Sequence, residues 1–318
     1  MRTPSPPGAP RGEGSAPPSR RPTSRRLATG SQGRYGYLFL TPFVLAFLVG
    51  IVAPLLYAAY LSFFQERMVG GTTFVGFDNY ARALEDQLLR AGLWRVALFL
   101  AIQVPLMLGL ALLAALAIDS GLLRWAPLFR IGIFIPYAVP AVVASLMWGY
   151  LYGDRFGLVR QIGDGLGVDT PNLLGSSWML ASIGNVVTWE FVGYNMLILY
   201  AALRVIPEEL YEAAAIDGAG EFRKAWSIKL PALRPALLLA SVFSVIGSFQ
   251  LFNEPNIMQS LAPNVVTTSY TPNMYAYNLA FNGQQFNYSA AVAVILGLVT
   301  AVVAFAVQVS GSRKEHAQ

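Results

Sequence analysis

The 318-residue chain is 55% hydrophobic and only 12% charged, about half the charged fraction of an average soluble domain, so a bilayer supplies its apolar surroundings more simply than an outsized core. It has no cysteine, and its one histidine, His316, lies in the C-terminal tail; disulfides, thiolate zinc sites, cysteine nucleophiles and a Ser-His-Asp arrangement within the spans are excluded. The net charge of +5 sits on basic residues that flank apolar spans and form no stripe, a placement that fits membrane orientation and not nucleic acid.

In chain order, residues 1–34 are rich in Pro, Gly, Ser and Arg and read as a disordered basic cytoplasmic tail. Ser24-Arg25-Arg26 resembles a twin-arginine export signal. The apolar stretch behind it is too long for a signal core and ends at no clean cleavage site, so the reading kept is an orienting basic flank. Against the roughly 20 residues a helix needs to cross hydrocarbon, six spans follow, at about 37–63, 93–118, 128–152, 178–203, 233–252 and 288–309. Pro54, Pro105, Pro136 and Pro140 fall inside them, where neighbouring helices and water satisfy the freed carbonyls. The spans make one membrane domain over 35–312, with 313–318 as a C-terminal tail. With the N-terminus inside, inner segments hold sixteen Lys and Arg and outer segments six. Both termini are therefore expected in the cytoplasm, with 64–92, 153–177 and 254–287 facing outward.

The loop 205–231 carries a predicted short helix. Pro207 suits the first helical position, Glu208 and Glu209 the positive end of the dipole, and Gly218 a left-handed stop. A second helical piece over 221–228 is expected to end at Pro231. Leu210, Ala213, Ala214 and Asp217 make one small apolar stripe outside the membrane. From the residues alone, that stripe either enters a partner's groove or packs back on its own helices.

Glu212-Ala213-Ala214, then Gly218, then Ile228-Lys229-Leu230-Pro231 match at fixed spacing the EAA signature, and the chain resembles the permeases of binding-protein-dependent ABC importers. The resemblance implies an all-α, six-span type I importer fold in which this loop is the coupling helix entering a cytoplasmic ABC ATPase. Glu212 and Gly218 would anchor and end that helix, and Ala213 and Ala214 would form its contact face. Tyr37-Leu38-Phe39-Leu40-Thr41-Pro42, Pro54-Leu55-Leu56-Tyr57, Gly76-Phe77-Asp78-Asn79-Tyr80, Ile135-Pro136 and Phe249-Gln250-Leu251-Phe252-Asn253 are similar to the sugar-importer group, including maltose, trehalose and glycerol-phosphate permeases. Ser260-Leu261-Ala262-Pro263 stands where that group often has a glycine-rich turn. The implied partners are an ATPase dimer, a second homologous permease, an extracytoplasmic solute-binding protein, a carbohydrate and membrane lipid.

No G-x-x-x-x-G-K-[ST] phosphate loop occurs in the chain, so ATP and Mg are expected on the partner ATPase, with no cofactor or metal on this chain and no catalytic residue. Cargo would pass by alternating access. Polar and aromatic groups at membrane depth are the candidate pathway: Thr188, Trp189, Glu190, Tyr194 and Asn195 in the fourth span, and Phe249, Gln250, Phe252 and Asn253 with Ser244 and Ser248 in the fifth. Amides bond sugar hydroxyls in both directions. Ser244 and Ser248 read rather as helix-to-helix glue. Glu190 has three open roles: cargo contact, partner of a basic group on the second permease, or neutral buried acid. No Lys or Arg lies deep in these two spans, which speaks against phosphorylated cargo. Asn287-Tyr288-Ser289 matches a glycosylation pattern by chance. An ion-driven transporter would show more buried ionisable groups or broken repeats, a scaffold has no use for the loop signature, and an enzyme lacks its chemistry here.

Overall fold

The computed structural model describes residues 29–67, 70–121, 123–154 and 157–315, without the side chains of 29–36 and 312–315. Residues 1–28 of the expected N-terminal tail, with Ser24-Arg25-Arg26, lie outside the described residues, as do His316 and the end of the C-terminal tail. The chain divides after Pro54 into two compact units.

In the first unit, α1 (Thr29–Phe47) opens inside the stretch read as tail and runs into a π turn, Leu48–Val52. From there α2 (Ala53–Leu61) completes an apolar span over Tyr37–Leu61 in which no residue is buried. The π turn stands immediately ahead of Pro54. A wider i→i+5 turn is one way a helix takes in a ring that lacks the N–H.

In the second unit, β1 (Phe64–Arg67) and β2 (Gly71–Phe74) form an antiparallel hairpin in which Phe64 faces Phe74. This hairpin is the one departure from an all-α chain among the described residues. α3 (Asp78–Glu85) and the long α4 (Gln87–Asp119) follow. The predicted third span is broken: α5 (Ala126–Phe134) and a 3-10 turn, Ile135–Ala138, meet α6 (Ala141–Leu151) at 99°. The reason is local. Pro140 disfavours the helical region for Val139, and Val139 is extended at φ −81°, ψ 129°.

α7 (Leu158–Leu166) leads to α8 (Met179–Leu203), which matches the predicted fourth span. Beyond it lie α9 (Glu208–Ile216), α10 (Glu221–Lys224), a π turn Ala225–Lys229 and α11 (Leu230–Ala232). Pro231 does not end this helical run as predicted. The π turn ahead of it takes in the ring, and the chain bends by 62° only before α12 (Arg234–Phe249). α13 (Asn253–Leu261), α14 (Pro272–Phe281) and α15 (Phe286–Glu315) complete the unit. Among the described residues, four continuous helices are long and apolar enough to span, or six if each bent pair counts as one.

α4 packs along α8. Toward one end of this pair, Ala111, Ala115, Met196, Leu199 and Leu203 are buried with Leu233; toward the other, Phe99, Met179, Ile183 and Val186 are buried with Met258 and Met274. Gly193 lets α8 meet the broken span closely. A Cβ there would lie 2.1 Å from the Ile133 carbonyl oxygen, so small size at this seam is obligatory.

Candidate functional site

Pro207 stands at the N-cap of α9 (φ −59°, ψ 138°), one place ahead of its predicted position, and Glu208 and Glu209 fill the first turn. At the far end Gly218 has φ +74°. Its N–H donates to the Ala215 carbonyl at 3.0 Å, and Ala219 N–H donates to that of Ala214 at 2.8 Å. This is the paired closure that a left-handed residue after a helix permits, so the predicted stop is present.

No residue of α9 is buried. Leu210, Glu212, Ala213 and Asp217 are exposed and Ala214 is half-buried, so the chain's own helices leave the predicted stripe largely uncovered. Large apolar side chains around it are exposed as well: Val205 at 80%, Ile216 at 87%, Phe222 at 84% and Trp226 at 67%. Exposure of this kind marks an interaction surface. The sequence reading missed these four because it followed the small-residue stripe.

Beneath the loop, Lys229 Nζ lies 2.7 Å from Asp119 Oδ2, with both side chains nearly enclosed. Tyr211 of α9 places its ring 5.4 Å from the same ammonium. Its hydroxyl is buried without a hydrogen-bond partner among the described residues. Burial first, and then the nearby Asp119 charge, push that hydroxyl above its ordinary value of 10.0. A polar cavity of ≈ 330 Å³ is bounded here by Asp119, Arg204, Glu208, Tyr211, Glu212 and Lys229, among others.

A second cavity, ≈ 260 Å³, lies between α4, α8, α12 and the start of α13. Its wall gathers Tyr194, Asn195, Ser244, Ser248, Gln250, Phe252 and Asn253 from the expected pathway, and adds Phe99, Phe191, Phe243 and Glu254. The break between α12 and α13 sets Gln250 and Asn253 at its rim, both exposed. The freed carbonyls are answered from α14: Thr271 Oγ1 donates to Leu251 O at 3.0 Å, and Asn273 Nδ2 to Gln250 O at 3.2 Å. Asn195 is largely satisfied within its own helix, donating to Phe191 O at 3.0 Å. Ser248 likewise donates to Ser244 O at 2.8 Å, a bond inside α12 and not between helices.

Four expected pathway residues, Thr188, Trp189, Glu190 and Phe249, are not on this wall. Phe249 is buried against Val96, Val245 and Ala304. Trp189 packs edge-on against Trp148, ring centroids 5.8 Å apart. Glu190 is 3% exposed, and both its oxygens lack a hydrogen-bond partner among the described residues. In this state it is closed to a basic group from another chain. Thr188 faces Gln103 of α4, whose Nε2 donates to it at 3.3 Å.

A family model described as the inner membrane component of binding-protein-dependent transport systems matches residues 107–316. The chain belongs to this family. The diacetylchitobiose uptake system permease protein of Streptomyces coelicolor is 37% identical over 73% of this chain and 69% of its own length. The arabinooligosaccharides transport system permease protein of Bacillus subtilis is 30% identical over 87% and 89% respectively. A chain from the crystal structure of a bacterial ABC transporter involved in the import of the acidic polysaccharide alginate superposes with a TM-score of 0.78, covering 89% of this chain and 96% of that one. At 17% identity that likeness carries the type I permease fold and nothing more. The chain is thus a multi-pass, binding-protein-dependent permease, a transport subunit and not an enzyme.

In this permease the end of the bundle away from α9 is tied by Asp86, the N-cap of α4. Its Oδ1 accepts from Leu88 N–H at 2.8 Å and Leu89 N–H at 3.3 Å. Its Oδ2 accepts from the hydroxyls of Tyr275 at 2.6 Å and Tyr288 at 2.7 Å. Burial pushes the Asp86 carboxyl up, but these bonds together outweigh it and hold the group below its ordinary 3.8. Asn79, inside the sugar-importer-like stretch, is buried and donates to Ser62 O and Phe64 O, each at 2.8 Å. Asn287 is also buried, donating to Leu61 O at 3.0 Å, so the glycosylation pattern offers no accessible acceptor.

Proposed function

We propose that this permease forms half of the pathway by which an ATP-driven importer carries a neutral saccharide across a bacterial plasma membrane. A second, homologous permease completes the pathway, an extracytoplasmic binding protein delivers the cargo, and a cytoplasmic ABC ATPase dimer binds ATP and Mg. Both termini lie in the cytoplasm. The observation that carries the reading is α9: a capped helix with no buried residue, flanked by exposed Ile216 and Phe222. Such a surface marks an interaction site, here read as the seat of the ATPase. Leu210, Ala213, Ala214 and Asp217 would seat in the ATPase, with Glu212 and Gly218 holding the helix's shape. ATP-driven closure of the ATPase pair would move α9 and tilt the spans between inward-open and outward-open states.

The nature of the cargo is supported by the wall of the ≈ 260 Å³ cavity. It offers the amides of Asn195, Gln250 and Asn253, the rings of Tyr194 and Phe252, and no Lys, Arg or His among its lining residues. Amides serve hydroxyls as donors and acceptors, while a wall without cations has nothing to pair with a phosphate. Relatives named for diacetylchitobiose and arabinooligosaccharides agree with a saccharide cargo. The test is affinity purification of the full chain from gently solubilised membranes, followed by ATP-dependent uptake of labelled saccharides into vesicles. An ATPase and a second permease in the eluate, with uptake of a neutral di- or oligosaccharide, are expected. Recovery of the chain alone, with ion-driven uptake, would overturn the proposal.

A further inference from the structure

We infer that the buried Asp119–Lys229 ion pair is the strut through which α9 moves the cavity-lining helices, with Tyr211 as its contact on the α9 side. This rests on the proposed docking of α9 on an ATPase. Having no buried residue of its own, α9 has little packing through which to push on the bundle. Tyr211 is the α9 side chain that reaches inward, its hydroxyl buried and its ring 5.4 Å from Lys229 Nζ. Lys229 closes the π turn at the root of α12, and Asp119 is the last residue of α4. Both helices line the ≈ 260 Å³ cavity farther along, α4 through Phe99 and Met107 and α12 through Phe243, Ser244 and Gly247. One ion pair of 2.7 Å thus joins the feet of two helices that wall the cargo cavity.

Stability does not explain this pair. A carboxylate at the last position of a helix faces the negative end of the dipole, and taking two charges out of water commonly cancels their attraction. What such a pair supplies is position. Lysine suits a moving joint, since its ammonium is a point charge on a flexible stem and tolerates sliding that a bidentate arginine fork does not. The bent, π-containing root of α12 is where rotation of α9 would otherwise dissipate.

The test uses the full chain reconstituted with its ATPase, second permease and binding protein, and reads cargo imported per ATP hydrolysed. Exchanging the pair for apolar side chains of similar volume, Asp119→Leu with Lys229→Met, preserves folding because no charge is left buried alone. Cargo moved per ATP should fall about tenfold, the scale of a typical coupling between sites. Reversing the charges, Asp119→Lys with Lys229→Asp, should recover most of that loss. Tyr211→Leu should give a smaller drop and Tyr211→Phe almost none, because the ring stays. An apolar double variant that imports as efficiently as the parent, or a reversed pair as inefficient as the apolar one, would reduce the pair to a structural contact. A parent chain that recruits no ATPase is a separate result, and it defeats the functional proposal itself.

Discussion

The α9 loop, residues 205–233, and the α13–α14 segment, residues 253–285, are both runs of short helices between spans, and they treat their side chains in opposite ways. In the first, Val205, Ile216, Phe222 and Trp226 are exposed, and inward contacts pass through Tyr211 and Lys229. In the second, Glu254, Met258, Met274 and Leu279 are buried, and Thr271 and Asn273 satisfy the carbonyls freed where α12 stops. The α13–α14 segment completes the chain's own core and shapes the cavity rim. The α9 loop leaves unfinished an apolar surface that water covers at a cost of about 25 cal/mol per Å². On the proposed function, the difference separates a part that holds cargo geometry from a part that receives force.

The largest effect belongs to the α9 loop. Gly218→Pro demands a fixed negative φ where the chain has φ +74°, and it removes the N–H that closes the helix on Ala215. Uptake should fall about a hundredfold or more while the chain still reaches the membrane fraction and its ATPase is lost on purification. Normal uptake would break the contrast outright.

Within the α13–α14 segment, Thr271→Ala removes both the cap that Met274 N–H donates to and the donor to Leu251 O. A loss of about 1–3 kcal/mol is expected, seen as a lower melting temperature in detergent with ATPase binding retained. Loss of docking at full thermal stability would show that the two ends are not separable in this way.

Asn253→Ala takes an exposed amide from the cavity rim. The half-saturating cargo concentration should rise about three- to tenfold, the worth of one hydrogen bond, with docking untouched; unchanged kinetics would remove Asn253 from the pathway.

The smallest effect is a pH dependence. Because the Asp86 carboxyl is held below its ordinary 3.8 in the folded protein, its contribution is whole above that value and is lost as pH falls through the lower folded-state value. Asp86→Asn should therefore lower stability slightly at neutral pH and flatten the acid limb of the profile below about pH 4, where variant and parent converge. An unaltered acid limb would assign that loss to other carboxylates.

Much of the architecture was legible because its signals are local. Apolar stretches of spanning length overlap four continuous helices and two bent pairs, the second pair beginning at Glu221, well ahead of the expected start at 233, and the left-handed Gly218 follows from spacing alone. The cavity residues Tyr194, Asn195, Gln250, Phe252 and Asn253 were recognisable as costly polar or aromatic groups among apolar neighbours. Their separation from Trp189, Glu190 and Phe249 was not. One residue of helix is a 100° turn, so neighbours in sequence face different helices, and only the packing of α4, α8, α12 and α13 decides which side holds the cavity.

The chain's composition and turn residues by themselves determined apolar spans and a short helix stopped at Gly218, because hydropathy, proline and glycine act through backbone chemistry within a few residues. The permease reading rested on the resemblance of the loop to the EAA signature. Only the tertiary structure decided that the third span bends by 99°, that Asp86 gathers two tyrosines from distant helices, and that Asp119 meets Lys229 across more than a hundred positions. Those contacts depend on which helix faces come together, and that is settled by the packing of whole helices and not by any short run of residues.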